Sequence, residues 1–95
     1  MIVLLVTYIA KEGREDELEA RLREMTGHTR QEPGCLAYVA QRSQREPRKF
    51  VLYEQYVDQA AFDFHRASEY FKRIVQGEYN EILESRAPEF FTIVE

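Results

Sequence analysis

The strand-like segments of this sequence are apolar on both faces, and that feature most constrains the fold. In Lys49–Val57, Phe50, Leu52, Glu54 and Tyr56 share one face, and Val51, Tyr53, Gln55 and Val57 share the other. Ile2–Ala10 divides in the same way, into Ile2, Leu4, Val6, Tyr8 and Val3, Leu5, Thr7, Ile9. A sheet with helices on one side only should alternate apolar and polar residues. A chain of 95 residues forms one domain and is too short to supply a second helical layer. Either the uncovered face is buried against a second copy, giving a homodimer, or the strands are apolar for β-propensity alone.

The remaining segments set the order of elements. Arg14 to about Gln31 is predicted helical: Leu18, Leu22, Met25 and Thr29 fall on one stripe, and Glu15, Asp16 and Glu17 suit the positive end of the helix dipole. Pro33-Gly34 ends it. Cys35–Arg42 reads as a second strand, joined by a short turn to the third at Lys49–Val57. Asp58 caps a short helix to about Arg66. Ser68 caps a second one, with Phe71, Ile74, Val75, Glu78 or Tyr79, and Ile82 on its stripe. Pro88 closes that region, and Glu89–Glu95 is predicted as the fourth strand. The order β-α-β-β-α-β is the α+β, ferredoxin-like split βαβ, over a single domain spanning residues 1–95.

Charge and cysteine content narrow the functional classes. Thirteen basic and 17 acidic residues leave a net charge of −4, which disfavours a general nucleic-acid or anionic-membrane binder. A single cysteine, Cys35, allows no internal disulfide, and a buried inert thiol is expected there. No apolar run approaches the roughly 20 residues of a membrane span. Ile2–Ala10 lacks the basic flank of a signal peptide, so a cytoplasmic setting is expected. There is no Gly-rich phosphate loop, zinc spacing or serine-nucleophile elbow.

Two residues stand out as chemistry. His65 shares a helical face with Ala61 and Phe62, which points its imidazole toward the sheet. It is either a general acid–base or a core histidine bonded to a backbone carbonyl. Glu54 is an acid on an apolar strand face. It must be paired, with an arginine such as Arg42 or across a dimer, or have its pKa pushed up so that it can act as a base. Tyr38, Tyr53, Tyr56 and Tyr70, with Phe62, either line an aromatic pocket with polar ends or form plain core. His28, at the edge of the first helix's stripe, could reach the same cavity. The basic hairpin, Arg42, Arg45, Arg48 and Lys49, is a solvated turn or a contact for an anionic group.

Glu32-Pro-Gly-Cys-Leu36, Phe50-Val-Leu-Tyr-Glu-Gln-Tyr56, Asp58-Gln-Ala-Ala-Phe62 and His65-Arg-Ala-Ser-Glu-Tyr-Phe71 together resemble the antibiotic biosynthesis monooxygenase (ABM) domain family, over nearly the whole chain. The resemblance implies a dimeric α+β barrel with two sheets face to face and helices outside. The positions that serve haem-degrading relatives fall near Val6, on His65 and on Val75, which leaves no axial haem ligand there. The pattern is closer to the quinol-monooxygenase-like and signal-isomerase-like branches. The implied function is a cofactor-independent monooxygenase taking a quinol or related phenolic and O₂, with His65 and Glu54 catalytic. The alternatives are an isomerase of a small phosphorylated or hydroxyketone signal, and a non-catalytic ligand-binding dimer.

Overall fold

The computed structural model describes all residues, Met1–Glu95. Strands β1 (Ile2–Ala10), β2 (Cys35–Arg42), β3 (Lys49–Tyr56) and β4 (Leu83–Phe91) form one antiparallel sheet in the order β2-β3-β1-β4. Helix α1 (Glu15–Thr29) follows β1, and α2 (Gln59–Arg66) follows β3. A π-helical segment (Phe71–Glu78) then runs into α3 (Tyr79–Ile82). The α+β, ferredoxin-like order expected from the sequence is the one observed.

Local chemistry explains most boundaries. Asp58 caps α2, its carboxylate accepting from the Ala61 amide at 2.9 Å. Ser68 Oγ accepts from the Phe71 amide at 3.2 Å, opening the next helix. The predicted stripe of α1 is the buried one: Leu18, Leu22, Met25 and Thr29. On the following helix the choice between Glu78 and Tyr79 is settled by the wide turns. Phe71 and Ile74 are buried, then Tyr79 and Ile82, and the five-residue step from Ile74 to Tyr79 is the π-helical repeat. Tyr79 packs edge-on against Tyr8 of β1, with centroids 5.4 Å apart.

The fourth strand differs from expectation. It begins at Leu83, not Glu89, and ends at Phe91 rather than Glu95. Pro88 lies inside it, opposite Val6. β4 is an edge strand, the one place in a sheet that tolerates a residue without an N–H. The earlier start brings Arg86 opposite Tyr8 and Phe90 opposite Leu4, both on the helix-facing side. At the other edge, the Arg30 guanidinium reaches over from the end of α1 and donates twice to the Tyr38 carbonyl, at 2.9 and 3.1 Å.

The core lies between helices and sheet, where Leu4, Val6, Tyr8, Phe50, Leu52 and Tyr56 meet Leu18, Leu22, Met25, Ile74 and Tyr79. The opposite face of the sheet carries Leu5, Ile9, Val51, Tyr53, Val39 and Phe91, and no helix of the chain covers it. Val39 and Phe91 keep 39% and 46% of their surface exposed.

Candidate active site

The helix-facing side of β3 places Glu54 in the core, and α2 lays His65 over it. Glu54 and His65 are 4% and 1% exposed. His65 Nε2 lies 3.7 Å from Glu54 Oε1, and on the other side of the ring Nδ1 lies 2.9 Å from Glu32 Oε2. The Tyr70 hydroxyl donates to the same Glu32 oxygen. The Tyr56 hydroxyl donates to Glu54 Oε1 at 2.6 Å. Five side chains thus form a line, buried except at its half-buried Tyr70 end: Tyr70, Glu32, His65, Glu54, Tyr56. With Nδ1 donating to Glu32, Nε2 is the nitrogen left to accept a proton on the Glu54 side.

Burial sets the protonation states. It raises the Glu54 pKa to about 7, although the Tyr56 hydroxyl and the charge of Arg86 oppose it. It lowers the His65 pKa and so favours the neutral ring, against the hydrogen bond that Nδ1 donates to Glu32, which favours the charged one. Burial also raises Tyr56, reinforced by Glu54 beside it, and holds Tyr38 well above the ordinary tyrosine value. An unprotonated imidazole thus sits beside a carboxyl poised near neutrality, a combination suited to moving protons.

The pair opens outward. A cavity of about 30 Å³ is bounded by Glu54, His65, Tyr8, Tyr38 and Leu4, among others. It is continuous in its lining with a cleft of about 410 Å³ between α2, the π-helical segment and β4. Leu4, Phe62, Arg66, Phe71, Val75 and Arg86 border both spaces. The inner space suits one hydroxyl-sized group, and the cleft has the size of a small-molecule site. A larger groove of about 490 Å³ lies between α1 and β2. It contains neither Glu54 nor His65, and its Arg42 is held by Asp16 and Glu19, so the chemistry lies elsewhere.

The residues singled out from sequence divide accordingly. Glu54, His65, Tyr38 and Phe62 border the inner cavity, and Tyr56 bonds Glu54 beneath it. Tyr70 acts at one remove, on Glu32. Tyr53 alternates away from Glu54 onto the uncovered sheet face, where its hydroxyl meets Gln55, so it does not line the cleft. His28 is half-exposed, stacks on Tyr70 with centroids 4.7 Å apart, and borders neither space. The expected alternative of a Glu54–Arg42 pair does not occur: Arg42 reaches Asp16 at 3.0 Å and Glu19 at 2.9 Å. Cys35 is half-buried, and burial pushes its thiol pKa up, as befits an inert cysteine.

Glu32 and Arg86 were missed. Glu32 reads as an ordinary helix-ending residue before a proline, and only its place in the Glu32-Pro-Gly-Cys-Leu36 run marked it. The turn must come close to α2 to deliver it. A Cβ on Gly34 would stand 2.3 Å from the Ala61 Cβ, so glycine is what lets the turn and the His65 helix touch. Arg86 was hidden by the late start predicted for β4.

The fold that carries this site is one that known proteins share. The family model for antibiotic biosynthesis monooxygenase matches residues 1–77, and the chain belongs to that family. A crystal structure of an antibiotic biosynthesis monooxygenase is 32% identical, with a TM-score of 0.90 over 100% of both chains. A Shewanella oneidensis protein is 34% identical with a TM-score of 0.90, over 95% of this chain and 87% of that one. A curated Synechocystis protein of uncharacterized function is 28% identical over 75 residues, 79% of this chain. The chain spans about half the length (51%) of that curated relative.

Proposed function

We propose that the chain is a cofactor-independent monooxygenase acting on a quinol or related phenolic. The observation that carries the reading is the buried His65–Glu54 pair, 3.7 Å apart, at the inner end of a cleft walled by Leu4, Phe62, Phe71 and Val75. His65 Nε2 takes the phenolic proton and leaves an electron-rich anion. The anion passes one electron to O₂, which removes the spin barrier to reaction. The resulting phenoxyl radical and superoxide combine to form a C–O bond. His65 returns its proton to the peroxide. Glu54 then takes the proton from the oxygenated carbon, the O–O bond breaks to leave a carbonyl, and Glu54 passes that proton to the departing hydroxide, which leaves as water. Overall, one quinol and one O₂ give one hydroxyquinone and one water. The chain's contribution is proton transfer, orientation of the ring and a dry site.

The uncovered apolar sheet face supports a homodimer with sheet packed on sheet. No helix of the chain is long and apolar enough to cross a membrane.

A second reading has support in the same pair. Enolisation of a hydroxyketone needs one base and one acid, and a carboxyl near pH 7 can serve as either. An isomerase of a small hydroxyketone or phosphorylated signal would therefore use His65 and Glu54 without consuming O₂. An oxygen electrode with a panel of quinols and anthrones separates the two. The monooxygenase reading predicts O₂ uptake by wild type, reduced on the order of a hundredfold or more in His65→Ala. Equal rates for wild type and variant on every substrate refute the assignment.

A further inference from the structure

The mouth of the cleft carries a charge pattern that deprotonation chemistry does not require. The chain has ten arginines. Six of them, Arg14, Arg21, Arg23, Arg42, Arg48 and Arg73, reach a carboxylate. Arg30 is spent on the Tyr38 carbonyl. Of the three that have neither partner, Arg45 is in the hairpin turn. The other two, Arg66 and Arg86, border the same cleft, one from the end of α2 and one from β4. Gln76 and Asn80 complete the polar rim, and no aspartate or glutamate borders the outer cleft. In a chain of net charge −4, this is a local reversal of sign. The Arg66 guanidinium lies 5.8 Å from the Phe62 ring centroid, over a wall of the cleft. The charge of Arg86 reaches inward as far as Glu54.

Two guanidiniums on opposite walls, above apolar and aromatic sides, match a flat ring that bears an acidic group. Guanidinium groups bind carboxylates and phosphates through paired N–H donors, and such charged hydrogen bonds are stronger than neutral ones. We propose that Arg66 and Arg86 form an anion-binding rim, and that the substrate is an aromatic quinol or phenol carrying a carboxylate or comparable oxyanion. The ring fills the cleft between Phe62, Phe71 and Val75. The anionic group stays at the mouth, and the reacting hydroxyl enters the inner cavity beside His65. The inference rests on the reading of this cleft as the substrate site.

The test is binding under anaerobic conditions, measured by titration calorimetry, so that turnover plays no part. The probes are dihydroxynaphthoate and dihydroxynaphthalene, which share the quinol ring system and differ by one carboxylate. Wild type is expected to bind the naphthoate about tenfold or more tighter. Arg66→Gln and Arg86→Gln should each reduce that ratio several-fold, and the double variant should abolish it. Arg66 has no carboxylate partner, so Arg66→Gln should keep the wild-type melting profile. Arg86→Gln also removes the charge that opposes the Glu54 shift, so Arg66→Gln is the variant that separates binding from stability. Equal affinities in wild type, an undiminished ratio in the double variant, or no binding of either probe overturns the proposal. The O₂ electrode then reads the parent reading separately. A naphthoate preference without O₂ uptake leaves the rim standing and refutes the monooxygenase. O₂ uptake with no preference does the reverse.

Discussion

Replacing Glu54 by glutamine should change how stability depends on pH, and the size of the change follows from where the carboxyl sits. Burial moves its pKa from an ordinary 4.5 to about 7. Between those values the folded chain holds a proton at Glu54 that the unfolded chain has released. The neutral carboxyl's stabilising effect is therefore fully present below about pH 4.5 and is lost as pH rises through about 7. A shift of about 2.5 pH units, at about 1.4 kcal/mol each, is roughly 3 kcal/mol. In a domain of this size that is on the order of 10–20 °C in melting temperature. His65 runs the other way: its lowered pKa stabilises the fold above the unfolded histidine value, an effect lost as pH falls. Glu54→Gln retains His65, keeps the side-chain volume and can still accept from Tyr56. The difference between variant and wild type thus isolates Glu54. Urea melts from about pH 4 to pH 8 should show Glu54→Gln gaining on wild type by roughly 3 kcal/mol as pH rises. A difference that stays flat across that range refutes the buried, neutral-leaning carboxyl and with it the acid–base role.

Gly34→Ala should cost about 1–3 kcal/mol, because a methyl 2.3 Å from the Ala61 Cβ forces α2 away from the turn. Adding Ala61→Gly should recover most of that loss, and thermal melts showing additive destabilisation would exclude this contact as the cause. Glu32→Gln should leave the fold largely intact yet slow turnover and shift the acidic limb of the pH–rate profile, since the hydrogen bond that raises the His65 pKa weakens. An unchanged profile would mean Glu32 is structural only. Tyr56→Phe removes the hydroxyl that lowers the Glu54 pKa and should move its titration above about 7, followed by carboxyl NMR shifts; a downward move would contradict the geometry. Leu5→Lys, on the uncovered sheet face, should convert a dimer to a monomer in light scattering, and an unchanged mass for both proteins would place any interface elsewhere.

Much of this architecture was legible because single residues carried unambiguous signals. Asp58 and Ser68 marked helix starts through their capping oxygens, and the Leu18–Thr29 stripe fixed the buried side of α1. Glu54 stood out as an acid among Phe50, Leu52 and Tyr56, and burial is what gives it its shifted pKa. What was not legible depended on contacts distant in sequence. Pro88 looks like a terminator, since only the strand order reveals that it occupies an edge. That misreading displaced β4 and concealed Arg86. Glu32 belongs to a turn, where neither helical nor strand periodicity applies, and its partners His65 and Tyr70 are 33 and 38 residues away. Tyr53 illustrates the converse. Its chemistry resembles that of Tyr56, but the strand alternation sends it to the opposite face.

The two rims of the sheet constrain how copies of this molecule can meet. One rim strand contains Pro88, which offers no N–H, and on the other the Tyr38 carbonyl is already taken by Arg30. Lateral strand addition, which repeats without limit and ends in fibres, is therefore disfavoured at both sides. Contact across the uncovered apolar face would be self-limiting: a two-fold pair would consume both faces and leave nothing for a third copy. For a chain with an uncovered apolar sheet face, the edges thus leave the closed pair as the favoured form of self-association.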